Sequence, residues 1–441
     1  MAERRRGASG GTFRASVVGL AEGLLGPHLS GTPTMRTHSS LAVSLLLAAC
    51  GRSLVYEPLP PPETPEIPSE LPEQCPPPPP PSPSPPLPGS QLTQIWSRSI
   101  EPSTAIGLDA EGRILSVSSS GTLRTYDPDS GALLAKGPAP FDALPQYSPT
   151  GDAIVISGGQ GSPIVHHRRC GTGHWTDLPI TDAACGWSAG CQGSISSDGG
   201  RLAVAAFDRI VIVNLRTDGV DRELMSSSWP IGAVAWGFDG RLFALISSHG
   251  ADQVFAGHPL TLPIEPAVTL VSLDPDFNLQ WASSMVGVWF SPLWSSPEAS
   301  IQPIFDGSII ATGGVEGSGT WGSSPVGAPV QVDNWGIRNT LIGGFLIAAG
   351  SNGRPLWGSL SGALGTGSNG VSLTVGPPFY YDDISALGSD GAPLGDSVSL
   401  PFKALGGAAA LFTPTGRVYF EAVTVDGTDR PALLTAFQLE R

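Results

Sequence analysis

Glu111-Gly112-Arg113-Ile114-Leu115-Ser116-Val117 shows the local pattern from which the fold of this chain can be inferred. It joins a polar residue and a glycine to a short, mostly apolar run, and Thr150-Gly151-Asp152-Ala153-Ile154-Val155-Ile156 repeats the pattern. Glycine readily adopts the left-handed backbone conformation of tight turns, and short runs rich in Ile and Val are typical of strands. The pattern therefore predicts a turn followed by a strand.

The same pattern occurs seven times along the chain. Successive glycines of the pattern are separated by 39, 48, 41, 67, 63 and 46 residues. Repeats of about this length indicate supersecondary units that pack against their neighbours. The seven glycines are Gly112, Gly151, Gly199, Gly240, Gly307, Gly370 and Gly416.

A second element closes several of these units: a strand, a polar turn with Gly or Asp, and a strand that often carries Trp. Copies lie at 126–134, 273–281 and 350–357. Strand, turn and strand at such periods are typical of a β-propeller, which has four antiparallel strands in each blade. The units resemble the repeats of quinoprotein-type (PQQ-like) and WD40-like propellers, and the stretch 111–135 resembles the former best.

The two ends of the domain suggest a closed ring. Residues 431–439 form a third strand with no fourth after it, whereas residues 92–97 resemble the fourth strand at 278–283 and have no blade before them. Pairing of the two ends would complete the last blade and leave no free sheet edge. We therefore expect an all-β, seven-bladed β-propeller over residues 91–441, with eight blades as the alternative.

The N-terminal region has the layout of an exported protein. Met35-Arg36-Thr37-His38 is a short basic start, and an apolar run leads from it to Cys50. This is the arrangement of a secretory signal peptide, and Leu47-Ala48-Ala49-Cys50 resembles the lipobox of bacterial lipoproteins. The resemblance implies cleavage before Cys50 and acylation of that residue. Residues 35–49 are then the signal peptide; residues 1–34 lie upstream of the true start or form a long n-region.

Residues 50–90 combine the lipidated cysteine with a linker that has 17 prolines between residues 58 and 88. Such a tract forms extended polyproline II, at about 3.1 Å per residue, and serves as a stalk. The chain from Cys50 onward has 18 basic and 36 acidic residues, a formal charge of −18. An acidic chain does not neutralise phosphates, so we expect no nucleic-acid partner and membrane attachment only through the N-terminal lipid.

Four cysteines remain besides Cys50, and an exported chain meets oxidising conditions. Four cysteines allow three pairings, of which we favour one that contains a disulfide between Cys185 and Cys191, six residues apart. A metal site is the alternative for a group of neighbouring residues, but their spacing matches no standard zinc motif. That group is His166, His167, Cys170 and His174.

Sequence signatures of catalysis are absent or isolated. Gly186-Trp187-Ser188-Ala189-Gly190 matches the G-x-S-x-G motif, but a strand and not a helix is expected after it. The acidic residues at 127–129 and 274–278 suit hairpin turns better than calcium loops. The chain has no Walker A motif, no HExxH and no adjacent cysteines of the quinoprotein dehydrogenase type. We therefore expect no cofactor, no metal and no catalytic residue.

These observations favour a non-catalytic binding or scaffold module for an envelope protein or a glycan. In outline the chain resembles the propeller lipoprotein of the outer-membrane assembly machinery. The alternative is an enzyme on the same fold, either a quinone-dependent oxidoreductase or a glycan-active enzyme. We expect a lipid-anchored location in the cell envelope, on the periplasmic or the outer surface. Gly51 after the lipidated residue favours the outer membrane, because Asp there is the inner-membrane retention signal of enterobacterial lipoproteins.

The candidate binding site lies on long insertions in blades four and five, at 248–266, 284–300 and 315–338. Long loops in a compact domain are usually functional, and clustered aromatic rings supply a large, rigid contact area. The alternative is that these rings only pack the insertions onto the rim of the propeller. The residues concerned are Trp289, Phe290, Trp294, Trp321 and Trp335.

Overall fold

The computed structural model describes residues 91–440, apart from short gaps. Every regular element among the described residues is a β-strand, and the strands pair antiparallel. The described residues contain no helix that is long and apolar enough to cross a membrane. The gaps are 110, 119, 142, 159–161, 182, 186–190, 228–229, 249–251, 262, 264, 291–298, 327–330, 335–336, 360–362, 376–379, 414–415 and 425–431.

The seven repeated glycines occupy equivalent turns. Each has a positive φ, between 68° and 86°, a backbone conformation that is strained for a residue with a side chain. Each also donates its N–H to the carbonyl oxygen three residues earlier, as Gly112 does to Asp109 at 3.0 Å and Gly416 to Thr413 at 3.1 Å. Every copy therefore joins the first and second strands of one four-stranded unit, as the sequence predicts.

The first three units, called blades 1 to 3, are simple four-stranded meanders. Blade 1 contains β2 (Ser103–Leu108), β3 (Ile114–Ser118), β4 (Thr122–Tyr126) and β5 (Leu133–Pro138). Blade 2 contains β6 (Gln146–Tyr147), β7 (Ala153–Ser157), β8 (Ile164–Arg168) and β9 (Thr176–Pro179). Blade 3 contains β10 (Gln192–Ile195), β11 (Arg201–Ala205), β12 (Arg209–Asn214) and β13 (Gly219–Met225).

Blades 4 and 5 carry the insertions. Blade 4 contains β14 (Ile231–Trp236), β15 (Leu242–Ser248), β18 (Ala267–Leu273) and β19 (Leu279–Trp289), with the hairpin β16 (Asp252–Phe255) and β17 (His258–Thr261) inserted. Blade 5 contains β20 (Ser300–Pro303), β21 (Ile309–Trp321), β24 (Ile337–Ala349) and β25 (Pro355–Ser359), with β22 (Ser324–Val326) and β23 (Gln331–Asn334) inserted.

Blades 6 and 7 share a strand, and blade 7 borrows its last strand from the start of the domain. β29 pairs with β28 in its first part and with β30 in its second. β1 pairs with β31 from Gln91↔Glu440 to Ile100↔Ala432. The strands are β26 (Ala363–Thr366), β27 (Ser372–Val375), β28 (Tyr380–Leu387), β29 (Val398–Phe412), β30 (Arg417–Thr424), β31 (Ala432–Glu440) and β1 (Gln91–Ile100).

The fold is a β-propeller, as the sequence predicts. The first strands of neighbouring blades contact one another, β10 with β14 and β14 with β20, and β29 of blade 7 contacts β2 of blade 1. Hydrophobic clusters fill the space between neighbouring sheets, for example between blades 4 and 5 and between blades 7 and 1. The described residues hold seven units; the blade number of the whole chain, seven or eight, stays a prediction.

One backbone oxygen fastens blade 7 to blade 1. The carbonyl of Pro128, in the turn between β4 and β5, accepts hydrogen bonds from Trp96 Nε1 at 3.2 Å, Arg417 Nη1 at 3.2 Å and Tyr419 Oη at 3.3 Å. The Trp96 ring also lies against Gly131 of the same turn, where a Cβ atom would be 2.7 Å from the ring. Only glycine leaves room for this contact.

The same docking recurs where Trp occupies the last strand of a blade. Trp281 donates from Nε1 to Ser351 O at 3.1 Å and covers Gly353 of the next blade. Trp357 donates to Ser389 O at 2.8 Å and covers Gly391. The Trp of the second sequence element thus connects each such blade to the turn of its neighbour.

A buried carboxylate lies at the seam between blades 7 and 1. Glu421 is 4% exposed and accepts a hydrogen bond from Ser103 N at 2.9 Å, and a second one from the Ser103 hydroxyl. Burial raises the pKa of Glu421 above its ordinary value, although the bonds from Ser103 and the nearby Arg124 oppose this. The folded protein therefore binds a proton at Glu421 more tightly than the unfolded chain does.

We predict that Gly131→Ala destabilises the protein more than Gly121→Ala. Both glycines have a similar positive φ, 66° and 72°, so each alanine should cost about 1–2 kcal/mol in the left-handed conformation. A Cβ at Gly121 meets nothing within 4 Å, whereas one at Gly131 displaces the Trp96 ring, adding about 1–3 kcal/mol. Thermal melting of both variants measures the difference, and equal melting temperatures would contradict the docking role.

We also predict a pH dependence that belongs to Glu421. Because its folded pKa is raised, its contribution to stability is complete below the unfolded pKa of about 4.5 and is lost as the pH rises through the folded value. Glu421→Gln removes this loss, so the stability of wild type relative to the variant should fall as the pH rises from about 4.5 to the folded pKa, and should be constant above it. Glu440→Gln, at an exposed position, is the control. Urea denaturation across this pH range tests it; a pH-independent difference would exclude the assignment.

Candidate functional site

Three strands of blades 4 and 5 are longer than a blade needs, and they pair across the blade boundary. The last strand of blade 4, β19, pairs with β21 of blade 5 through Val286↔Thr320, Val288↔Gly317 and Trp289↔Glu316. The β21–β24 ladder runs the whole way from Ile309↔Ala349 to Glu316↔Ile342. The insertions therefore form an ordered extension sheet, defined here as residues 284–289 and 315–326.

Glycines allow the two blades to meet in this extension sheet. A Cβ atom at Gly319 would be 1.9 Å from Val286 O, and one at Gly317 would be 2.4 Å from Gly287 O. Gly287 and Gly317 also have positive φ, 87° and 97°. The close backbone approach requires glycine, so the small residues of the insertion are a consequence of this pairing.

Two of the predicted binding residues are half-buried: Trp289 lies in the extension sheet, and Phe290 follows it directly. Trp289 donates from Nε1 to Glu316 Oε2 at 3.2 Å, which joins β19 to β21. Phe290 packs against the core cluster of blades 4 and 5 and covers Gly232, where a Cβ would be 2.6 Å from its ring. Part of the surface of each ring is therefore buried against the rest of the protein and does not face a partner.

The expectation for Trp321 requires a correction. This side chain is 1% exposed, belongs to the core cluster of blades 4 and 5, and donates from Nε1 to Ala348 O at 2.9 Å. The extension sheet needs a core of its own, and Trp321 supplies it. Trp294, Trp335 and Cys50 lie outside the described residues, so their predicted roles stay predictions.

An exposed aromatic pair occurs at the opposite ends of these strands. Phe238, in the β14–β15 turn, stacks on Phe305, in the β20–β21 turn, with ring centroids 4.1 Å apart and planes at 25°. The two residues are 46% and 47% exposed. Two large rings side by side in solvent form an apolar patch suited to a partner.

Arg241 holds the two turns in place. It bonds to Asp239 Oδ2 in the turn of Phe238 at 2.6 Å, and to Gly307 O in the turn of Phe305 at 3.4 Å. It also donates to Ser351 O at 2.6 Å. The stacked rings are therefore set on turns fixed by a charged side chain, and a partner meets them with little loss of conformational entropy.

Sequence reasoning missed this pair, although a signal was present. Phe-Asp-Gly occurs at 238–240 and again at 305–307, at the same position of two successive repeats. Equivalent turns of neighbouring blades lie side by side in a propeller, so a repeated aromatic there predicts an aromatic pair. The aromatic residues of the predicted site belong to the insertions of blades 4 and 5 and not to these turns.

The cysteine chemistry is structural. Cys185 and Cys191 form a disulfide with an S–S distance of 2.08 Å. Cys170 is disulfide-bonded too, so it offers no thiolate to a metal. Within the described ranges, no group of three or more His, Cys, Asp or Glu side chains is placed to hold a metal ion. The grouping of Cys170 with the neighbouring histidines therefore does not form a metal centre.

The acidic turn residues serve the backbone. Asp274 Oδ1 accepts the N–H of Asn278 at 2.8 Å and of Asp276 at 3.0 Å, and these bonds, that from Asn278 first, lower the pKa of the Asp274 carboxyl. Asp127 Oδ1 accepts the Ser130 hydroxyl at 2.7 Å and its N–H at 2.8 Å. Both carboxylates shape the hairpin turn between the third and fourth strands.

Comparison with known proteins adds a structural likeness. No protein-family model matches the sequence, and none of the curated proteins compared with it matches either. Among solved structures the chain is similar to BamB from Moraxella catarrhalis, with a TM-score of 0.40 and 13% sequence identity. The alignment covers 79% of this chain and 100% of that one.

Proposed function

We propose that this protein is a lipid-anchored binding module of the cell envelope. It docks a protein partner on the surface formed by the β14–β15 turn of blade 4 and the β20–β21 turn of blade 5, called the turn face here. The observation that carries the proposal is the exposed stack of Phe238 on Phe305. A few anchor residues carry most of the binding energy at protein interfaces, where aromatic residues including Phe are enriched. A pair held ready on fixed turns has the properties of such an anchor.

The surroundings of the pair define the chemistry of the partner. Asp306 follows Phe305 directly and is exposed, whereas Asp239, after Phe238, is paired with Arg241, so the acidic charge beside the apolar patch comes from Asp306. The chain as a whole is acidic, with a net charge of −15. A complementary partner therefore presents an apolar or aromatic side chain next to Lys or Arg, and long-range attraction accelerates its approach.

A protein fits this patch better than a glycan does. Phe has no polar group, whereas saccharide sites combine a ring with several hydrogen-bond donors and acceptors. The carboxylate of Asp239 is engaged by Arg241 at 2.6 Å, and that of Asp306 accepts the N–H of Ser308 at 2.8 Å. We therefore propose an envelope protein as the partner, with the glycan as the outcome that the test must exclude.

The anchor and the stalk complete the proposal. Acylation at Cys50 would fix the chain to a membrane, the outer membrane by the character of Gly51, and the proline-rich linker would hold the propeller away from the lipid surface. Residues 58–88 would span up to about 100 Å if fully extended. The partner is then reached at a distance from the anchor, and the turn face stays accessible. The half-buried Trp289 remains part of a second proposed contact, and the binding roles of Trp294 and Trp335 stay predictions.

We predict that the turn-face patch crosslinks to one envelope protein. A photo-reactive phenylalanine analogue at position 305 should give a single adduct in intact cells, identified by mass spectrometry. Phe238→Ala with Phe305→Ala should reduce capture of that protein by at least about 30-fold, the factor that corresponds to about 2 kcal/mol from a single anchor. The melting temperature should change little because both side chains are about half exposed.

Leu133 provides the matched control for this crosslink. It is 53% exposed on β5, the last strand of blade 1, far along the chain from the Phe pair. The analogue at Leu133 should give no such adduct, and Leu133→Ala with Leu134→Ala should leave capture unchanged. Equal adducts from both positions, or loss of capture only after glycan digestion, would contradict a protein partner at the turn face.

We predict that a palmitate analogue labels the chain at Cys50. Cys50→Ala should lose all label, whereas Cys75→Ala should keep it, because only the residue after the lipobox is acylated. Gel fluorescence after metabolic labelling measures this. Label that persists in Cys50→Ala would exclude the anchor without affecting the crosslinking result.

A further inference from the structure

Blade 2 contains a relay of three side chains on three adjacent strands. His166, on β8, lies between Ser157, at the end of β7, and Asp177, on β9. Its Nε2 is 2.7 Å from Ser157 Oγ, and its Nδ1 is 2.7 Å from Asp177 Oδ1. Val155 and Asp177 are the register partners of His166, and Ser157 lies two residues after Val155 on the same strand. Side chains two residues apart on a strand share a face, so Ser157, His166 and Asp177 project from the same face of the sheet.

The carboxylate fixes the direction of these hydrogen bonds. An ionised Asp only accepts hydrogen bonds, so the proton of the neutral imidazole must be on Nδ1. Nε2 is then an acceptor, and the Ser157 hydroxyl donates to it. This is the arrangement in which an imidazole acts as a general base toward a serine, with a carboxylate holding the ring in the required tautomer.

The imidazole is also held in position from the side. Phe141, in the connection between blades 1 and 2, stacks on His166 with centroids 4.2 Å apart and planes at 27°. Trp175 packs edge-on against Phe141 at 4.9 Å, and the Arg168 guanidinium lies 5.3 Å from the Trp175 ring. His166 is 8% exposed, while Ser157 is half-buried at the end of its strand. The aromatic pair provides an apolar wall next to the imidazole.

The backbone after the serine turns sharply. Gly158 has a φ of 131°, and a Cβ there would be 2.7 Å from Ser162 O, so only glycine fits. The N–H of the residue after the nucleophile is one of the oxyanion donors of G-x-S-x-G hydrolases. Gly158 occupies that position here, although the local sequence Ile156-Ser157-Gly158 has no G-x-S-x-G motif.

We propose that Ser157, His166 and Asp177 form a hydrolytic site for carboxylic esters with an apolar or aromatic group. Ser157 Oγ forms a bond to the acyl carbon while His166 Nε2 takes the hydroxyl proton. The bond from the acyl carbon to the alcohol oxygen breaks, and the alcohol leaves with that proton. Water then attacks the acyl-serine, His166 again acts as base, and the acid and the free serine are released. Asp177 is a positioning residue for the imidazole.

The test is covalent labelling of the purified full-length protein by a fluorophosphonate probe, followed by peptide mapping. One adduct per chain is expected at Ser157, and p-nitrophenyl acetate should be hydrolysed with the same dependence on pH. His166→Gln should slow labelling by about 100-fold or more, the contribution of a general base. Asp177→Asn should also slow it and change the pH profile, because an amide donor at Nδ1 moves the ring proton to Nε2.

Ser130→Ala is the matched control, because the Ser130 hydroxyl bonds to a carboxylate, Asp127 Oδ1 at 2.7 Å, with no imidazole. Labelling of this variant should equal that of wild type. The proposal fails if folded wild type gives no adduct at Ser157 under conditions that label a known serine hydrolase. It also fails if Ser157→Ala keeps its adduct, or if His166→Gln reacts as fast as wild type. The turn-face crosslink is unaffected by any of these results.

Discussion

The pairing of β1 with β31 closes the ring and thereby holds all the blades together. The two strands are adjacent in space and separated by nearly the whole domain in sequence, with Gln91 opposite Glu440. The entropy cost of bringing such distant segments together grows only slowly with the length of the intervening chain, and the pairing removes two free sheet edges. Three donors on Pro128 O then fasten the closing blade to blade 1. Without this seam, β31 would be an exposed edge.

A closed ring also explains why the insertions of blades 4 and 5 are tolerated. The blades derive their stability from sheet-to-sheet packing, so additional residues at strand ends do not disturb the closure. The β19–β21 pairing even joins two blades by backbone hydrogen bonds, which propeller closure does not require. Arg241 performs a comparable task at the other face by bonding across to Gly307 and Ser351. Blades 4 and 5 are thus connected at both faces, and the exposed Phe pair lies on them.

The sequence predicted the repeat well and the sites poorly, for a physical reason. The seven glycines mark local turn geometry, which depends on a few adjacent residues, so their roles follow from the chain alone. Aromatic residues in an insertion suggest either a contact area or packing onto the rim, and local sequence does not choose between them. The pairing of β21 with β22 and β24 buries Trp321. Ser157, His166 and Asp177 become neighbours only through strand register, since nine and eleven residues separate them. Register depends on partner strands that no local pattern specifies.

The adjacent residue His167 shows what a structural histidine requires in this blade. Strand alternation directs it to the face opposite His166, where Asp218 of blade 3 accepts its Nδ1 at 2.6 Å. Its Nε2 is buried without a hydrogen-bond partner in the described part of the chain, 3.5 Å from Asp152 Oδ2. His167 is thus held by carboxylates, Asp218 at Nδ1 and Asp152 near Nε2. His166 has a hydroxyl on Nε2 in addition to its carboxylate, and that hydroxyl lies at a strand end followed by a glycine turn. His166 thus differs from His167 by the Ser157 hydroxyl on its Nε2, a group that nucleophilic catalysis requires and packing does not.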